Sequence, residues 1–374
     1  MSLRKSGLIL IVLFLSCSGS DQPENHTIET KDGVKYVHNL FPAYQEGEFI
    51  QIEFVRKIGG LDSPDENLNF YNPVDLTVDR INNLFILDKG NYRVVKIAEG
   101  NFVSVFGANG EGPGEFTSPG SINLRNDGNL IISDDKKYHV FSTEGMPVRT
   151  RSLPKTLFDL TILESGNLLS RNLGESTLLK ISLKEGTVLT QFGIPFEYET
   201  HNKTTLSNRI YYTPGNDNIY VSFKHANRIQ KYSRQGELEL ESTRALNYEI
   251  TYEEKRTRRI KDQFVRTGRG WSLVSKGIAV DDRGLIWITT ADRQESDEEF
   301  LTPVYDVTGR NTKSVGNSPE ETDMYRLEVY DNSGVLQCEI PLDHFCDSIK
   351  IFGDRLFIID KDRGMCVYEY KIIR

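Results

Sequence analysis

Pro73-Val74-Asp75-Leu76-Thr77-Val78-Asp79, then Asn82-Asn83, then Leu84-Phe85-Ile86-Leu87, then Arg93-Val94-Val95-Lys96-Ile97, then Gly100 and Phe102 to Phe106 form the stretch on which the fold turns. It reads as a short apolar strand, a tight polar turn, a very apolar strand, a loop, an alternating strand, a Gly turn and a second alternating strand. Period-2 alternation between Asn, Asp and Gly turns is the mark of antiparallel sheet, because those residues tolerate the positive φ that hairpins need.

The same unit recurs along the chain. The second strands are Leu84-Phe85-Ile86-Leu87, Leu130-Ile131-Ile132-Ser133, Leu168-Leu169-Ser170, Ile219-Tyr220-Val221-Ser222, Ile286-Trp287-Ile288-Thr289 and Leu356-Phe357-Ile358-Ile359. The third strands are Arg93 to Ile97, His139-Val140-Phe141, Leu178 to Ile181, Arg228 to Tyr232, Leu327 to Tyr330 and Cys366 to Tyr370, with Gly100, Gly145, Gly186, Gly236 and Gly334 marking the next turn. Six serial four-stranded units spell an all-β fold, a six-bladed β-propeller over residues 49–374. A sandwich would not repeat one four-strand unit six times. After Tyr370 too little chain remains for a fourth strand, whereas Ile50-Gln51-Ile52-Glu53-Phe54-Val55 alternates without a unit of its own. The N-terminal strand is therefore expected to complete the last blade, which removes two exposed sheet edges.

The wording of the first unit also carries a resemblance. Pro73 to Asp79, Asp88-Lys89-Gly90-Asn91-Tyr92-Arg93-Val94 and Phe106-Gly107-Ala108-Asn109-Gly110-Glu111-Gly112-Pro113-Gly114-Glu115-Phe116 look like NHL-type repeats. With the N-terminal features below, the chain resembles the six-bladed β-propeller lipoproteins of Bacteroides-like bacteria. That resemblance implies an envelope location and no assigned chemistry.

Arg4 and Lys5 precede an apolar core, Leu8 to Leu15, which is too short to span a bilayer as a helix. This reads as a signal peptide over residues 1–16. Leu13-Phe14-Leu15-Ser16-Cys17 resembles a bacterial lipobox, which would make Cys17 the site of lipidation and tether a soluble body to a membrane. Asp21 and Glu24 resemble the early acidic export signal of lipoproteins from the Bacteroides group. Residues 17–48 are polar and weakly patterned and read as a flexible tether. The location implied is the bacterial envelope, lipid-anchored at the outer membrane.

Composition narrows the function classes. The chain has 374 residues, a net charge of −9, 38% hydrophobic residues, 17 Tyr and 19 Phe. Such aromatic content excludes an acidic disordered tail. A net negative chain argues against a general nucleic-acid partner, since phosphates need a basic footprint. Cys338, Cys346 and Cys366 lie in or beside apolar strands without CxxC or Cys/His spacing. No metal or other cofactor is expected from them; small core residues or one disulfide are the readings left open.

The long connections are residues 59–72, 107–119, 193–207, 247–275 and 290–324. In a propeller each would leave the same face, which makes that loop-rich face the expected working surface. The insert about 250–268 contains Tyr252 to Thr267 (YEEKRTRRIKDQFVRT) and reads as a helix with Ile260, Phe264 and Val265 roughly on one face. It carries Arg256 and Arg259 and is followed by Arg269 and Trp271. One reading is a basic patch receiving an anionic or glycan ligand, with Trp271 as platform. The other is a solvated helix whose charges pair with Glu253 and Glu254. The polar insert about 291–324 is expected to be mobile and to pair electrostatically with the first. Lys224, His225 and Arg228 form a further polar cluster on that face. Asp88, Asn91 and Arg93, echoed by Asp360 and Arg363, are expected to be structural. HExxH, Walker A, GxSxG and EF-hand spacings are missing.

The function expected is a membrane-anchored envelope binding module that takes a ligand or an envelope protein on its loop-rich face. The alternatives are a metal-dependent lyase or hydrolase with an axial site, and a scaffold subunit of an envelope complex.

Overall fold

In a computed structural model the structure is described for residues 24–153, 159–172, 176–197, 209–252, 256–260, 263–267, 271–296, 299, 302–305, 311–315 and 321–374. The signal peptide, Cys17 and Arg269 lie outside the described residues.

Six four-stranded antiparallel units follow one another. Blade 1 is Pro73–Val78, Leu84–Asp88, Arg93–Ala98 and Asn101–Phe106. Blade 2 is Pro119–Leu124, Leu130–Asp134, Lys137–Phe141 and Pro147–Ser152. Blade 3 is Leu160–Ile162, Leu168–Arg171, Leu178–Ile181 and Val188–Phe192. Blade 4 is Ile210–Pro214, Asn218–Phe223, Ile229–Ser233 and Leu238–Arg244. Blade 5 is Ser275–Val280, Ile286–Ala291, Glu321–Tyr330 and Leu336–His344. Blade 6 is Ser348–Phe352, Arg355–Asp360, Cys366–Ile373 and, from the N-terminal end of the chain, Gln51–Gly59.

This last pairing closes the ring. Ile52 faces Ile372 and Phe54 faces Tyr370 in an antiparallel ladder. Second strands are buried along their whole length in blades 1, 2 and 5. They lie between two strands of their own blade and are covered by neighbours on both faces, which is why they read as unbroken apolar runs. Fourth strands alternate, as in Asn101–Phe106, because only one face packs inward. The ladder between third and fourth strands slips at a matching place in all six blades, at Lys96/Ile97, Val140/Phe141, Lys180/Ile181, Lys231/Tyr232, Val329/Tyr330 and, in blade 6, Phe54/Arg56 opposite Tyr370 and Glu369; blade 5 slips a second time at Glu321/Tyr325. A bulge recurring at one repeat position increases the local twist where each blade must fan outward.

Blade-to-blade packing explains the glycine after each third strand. Gly236 has φ +95°, and a Cβ on it would lie 2.6 Å from the Phe192 ring of blade 3. First strands of consecutive blades pack against each other, blade 1 on 2, 2 on 3, 4 on 5, 5 on 6 and 6 on 1. They therefore line the axis.

Two expectations are corrected. Residues 17–48 are not a tether throughout: His26–Lys31 and Val34–Asn39 form a hairpin, and Val34–Asn39 lies parallel to Leu238–Arg244, extending blade 4 to six strands. Asp32 and Gly33, at φ 52° and 84°, make its turn. The signal was slight because only Val37 and Asn39 of the hairpin are buried. The insert about 250–268 is not a helix. Arg256–Ile260 and Gln263–Thr267 are paired strands, and Phe264 and Val265 pair onward with Tyr305 and Val304 of the second insert. Thr257, Val265 and Thr267 are β-branched, and that preference outweighs the helical placing of apolar residues. Thr302–Tyr305 and Asn311–Val315 complete a seventh sheet of four strands. The two inserts do meet, but through a backbone ladder.

All three cysteines of the fold, Cys338, Cys346 and Cys366, are buried. Burial pushes the Cys338 and Cys346 thiols up to about 12, so they behave as small apolar side chains.

Candidate functional site

Long connections leave one end of the ring. Residues 60–72, 107–118, 193–209 and 245–274 join a fourth strand to the next first strand, and residues 292–320 join second to third strand in blade 5. Alternating strand direction places these two kinds of connection at the same end. The seventh sheet is built from the last two of these connections and so belongs to that end.

The inner strands supply charge there. Lys350 of blade 6 pairs with Asp75 of blade 1 at 2.9 Å, and Lys276 of blade 5 pairs with Asp347 at the entry to blade 6. Asp159 at the entry to blade 3 pairs with Arg171 at 3.3 Å. Asp75 also accepts the Ile122 backbone N–H of blade 2 at 2.9 Å, and Ser121 accepts the Leu160 N–H of blade 3 at 2.9 Å. A polar residue at the start of one first strand thus ties down the next blade. Tyr211 and Tyr212 complete the lining from blade 4, and burial raises both phenols above their usual range.

Lys224 follows the second strand of blade 4. Its backbone N–H donates to the Arg209 carbonyl at 2.9 Å, and its carbonyl accepts from Val274 N–H at 2.8 Å. Burial, then the nearby Lys276, Arg209 and Lys361 charges, lower its ammonium pKa to about 7. Burial is the larger cause and the neighbouring cations the lesser, so Lys224 is a buried lysine set among like charges.

The other expected site residues are dispersed. His225 is buried; its Nδ1 sits 2.8 Å from the Ser272 carbonyl and its ring meets Trp271 edge-on at 5.7 Å. Trp271 stacks edge-on against Tyr252 at 5.2 Å and bridges to it through the backbone. It packs, half-buried, at the root of the insert. Arg228 pairs with Glu241 at 3.2 Å and lies over the Phe196 ring at 5.0 Å. Arg256 and Arg259 are placed by the backbone opposite Thr267 and Phe264 in the seventh sheet. Among the described side chains of the expected set, Lys224 alone joins the axial charges.

Asp88 proves structural, as expected: it holds Arg93 at 2.9 Å, Asn91 at 2.7 Å and the Tyr71 N–H at 2.8 Å. Asp134 takes the corresponding place in blade 2. Burial opposes its charge, and His139, Ser118 and Thr117 outweigh it, so its carboxyl lies well below the usual range. Asp360 takes that place in blade 6 and accepts from Gly364 N–H at 2.8 Å and Arg363 N–H at 3.0 Å. A cavity of about 300 Å³ at the rim between blades 6 and 1 is lined by Arg56, Lys57, Asp62 and Leu68, but Arg56 is already paired with Glu369 at 2.6 Å.

Asp75, Asp159, Lys276, Asp347, Lys350 and Lys361 were missed by sequence reasoning. Their signal is positional: Asp159, Asp347 and Lys276 stand at the inlet of a first strand, Lys361 just after a second strand, and Asp75 and Lys350 at the third position of a first strand. Among the described residues no group of three or more His, Cys, Asp or Glu comes together as a metal-ligand set. No helix among them is long and apolar enough to cross a membrane.

Ring closure and six like blades define a six-bladed β-propeller whose long loops gather at one end, over a charged axial mouth. The chain belongs to the 6-bladed beta-propeller family DUF5128, whose match spans residues 45–339. No curated protein matches it. Among solved structures, a member of the DUF4221 family from Bacteroides vulgatus is similar at TM-score 0.56 and 9% identity, covering 87% of this chain and 99% of the other. A protein of unknown function from Bacteroides thetaiotaomicron is similar at TM-score 0.51 and 13% identity, covering 87% and 76%. At these identities the likeness shows the fold alone.

Proposed function

We propose that this chain is a binding module of the bacterial envelope that takes its ligand on the loop-rich face, over the axial mouth. The observation that carries this reading is the meeting of two independent features at one end: every long connection, and the charged inlets of the first strands. Rigid scaffolds place recognition on such loops. The metal-dependent lyase or hydrolase reading has no donor set among the described residues, and no particular contact favours the scaffold reading.

The envelope location rests on Arg4, Lys5, the apolar run Leu8 to Leu15 and Ser16-Cys17. Lipidation of Cys17 would hold the propeller at a membrane, with the Asn25–Asn39 region docked on blade 4 fixing where the anchor leaves the body. Fractionation of cells making the full chain tests this part: wild type is expected with membranes and Cys17→Ala in the soluble fraction. Equal membrane association of both would remove the anchor from the account.

Binding is tested by thermal-shift screening of the full chain against neutral and acidic sugars and their phosphates. Hits are expected to protect loop-face residues from hydrogen exchange. Protection confined to the opposite face would overturn the choice of surface.

A further inference from the structure

Four cationic residues from three consecutive blades are brought together at the loop-rich end, close enough for the other three to act on the Lys224 charge: Arg209 and Lys224 of blade 4, Lys276 of blade 5 and Lys361 of blade 6. Backbone contacts fix this meeting. Lys224 bonds to Arg209 and to Val274, two residues before Lys276. Asp347 takes the Lys276 ammonium with Oδ1 and the Lys361 N–H, at 3.0 Å, with Oδ2. The acids facing Lys224 are Asp347 and Asp362. Tyr211 and Tyr325 also bear on Lys276, and burial keeps both phenols protonated at neutral pH. Four cations stand against three carboxylates, Asp347, Asp360 and Asp362; Asp360 is raised to about 6 and Asp362 is raised as well, so the positive surplus grows as pH falls towards 6.

Resting on the reading of the loop-rich face as the working surface, we propose that this seam between blades 4, 5 and 6 is a site for a dianionic, tetrahedral oxyanion, a sulfate or phosphate group, either free or as a substituent of a larger ligand. The shape follows from the donors. Lysines are point charges on flexible stems, and here they reach in from three blades, which suits oxygens directed several ways rather than the flat fork of a carboxylate. Lys224 supplies the adaptable charge: a bound dianion stabilises its ammonium form, so binding is linked to proton uptake near neutral pH. Asp360, raised to about 6 by burial and by Asp347, titrates at the lower edge of the same range and also weakens an anion as it ionises.

Calorimetry on the full chain with sodium sulfate, inorganic phosphate, glucose 6-phosphate, glucose and acetate tests the proposal, with Asp360→Asn as a background that removes the carboxylate titration. Sulfate is expected to bind about tenfold more tightly near pH 6 than near pH 9, with acetate and glucose silent. Lys224→Met and, separately, Lys361→Met are expected to lose about tenfold, and Lys224→Met to flatten the pH response. Both variants leave the Lys276–Asp347 pair intact, so folding is preserved and is checked by unchanged circular dichroism. Tighter binding of glucose 6-phosphate than of phosphate would support a substituted ligand; equal affinity would support the free ion. Sulfate and phosphate affinities unchanged in both variants, or no binding of either ion, would overturn the proposal. A neutral sugar bound at the loop-rich face with wild-type affinity in Lys224→Met would overturn this site while leaving the face as the working surface. Protection by every ligand confined elsewhere would overturn that reading itself.

Discussion

Asp347 holds the Lys276 ammonium across the seam between blades 5 and 6. Burial works against the Asp347 charge, yet Lys276 and then Lys361 outweigh it, bringing the carboxyl down to about 2. Asp347→Asn would leave Lys276 charged, largely buried and unmatched. A destabilisation of about 3 kcal/mol at neutral pH is expected in urea unfolding, because breaking one side of a buried pair costs more than the pair contributes. A depressed acid stabilises above its unfolded value and loses that contribution as pH falls through the folded value. The gap between wild type and variant is therefore expected to shrink between pH 4 and pH 2.

Asp360 works the other way. Burial and the Asp347 charge raise its carboxyl to about 6. An acid with a raised folded value binds protons more tightly in the folded state, so stability falls as pH rises from about 4 to about 6 and stays lower above that. Asp360→Asn removes the charge and keeps one of the two oxygens that accept from Arg363 and Gly364 N–H; the bond lost costs about 1 kcal/mol, less than removal of the raised carboxylate returns. The variant is expected to unfold at higher temperature than wild type at pH 7.5, about 1–3 kcal/mol more stable, with the difference vanishing near pH 4.

Arg244 and Glu328 form the most deeply buried ion pair described, at 2.6 Å with exposures of 1% and 0%. It joins the outer strand of blade 4 to blade 5, and Glu328 also accepts from Thr290 at 2.8 Å and Tyr330 at 2.7 Å. Glu328→Gln leaves Arg244 uncompensated. A loss of about 3–5 kcal/mol is expected in equilibrium unfolding.

The N-terminal hairpin is tied in by its parallel ladder on Leu238–Arg244, by His38 against Thr243 at 2.8 Å, and most extensively by the Asn39 side chain. Asn39 donates to Ser242 at 3.0 Å and to the Gly334 carbonyl at 3.1 Å, and accepts the Leu336 N–H at 2.8 Å. Asn39→Ala is expected to cost about 2 kcal/mol. It is also expected to speed hydrogen exchange in Val34–Asn39 well before it affects Gln51–Gly59, whose ladder closes the ring.

The blades were legible because each is a local unit whose apolar second strand and turn chemistry repeat: Leu84 to Leu87 and Leu356 to Ile359 have the same pattern for the same reason. Closure was legible because Ile50 to Val55 had no partner of its own. The hairpin of residues 26–39 was not, since it buries little and borrows its partner from two hundred residues away. The basic insert misled because Ile260, Phe264 and Val265 fit a helical face as well as a hairpin, and the pairing of Val265 with Val304 is set by another insert. The axial charges were invisible for a related reason. Lys276, Asp347 and Lys361 are remote from Lys224 in sequence, and only ring geometry brings them to it. His225 and Trp271 stood out by residue type, but they serve to pack the root of the insert.

The Lys224 ammonium stands at the centre of the proposed oxyanion site. Titration of the ¹³C-labelled lysine Cε resonances of the full chain, assigned with Lys224→Met, measures it directly. Lys224 is expected to titrate near 7 and to move upward when sulfate is added. A Lys224 resonance that titrates near 10, like an exposed lysine, and does not respond to sulfate would contradict the account.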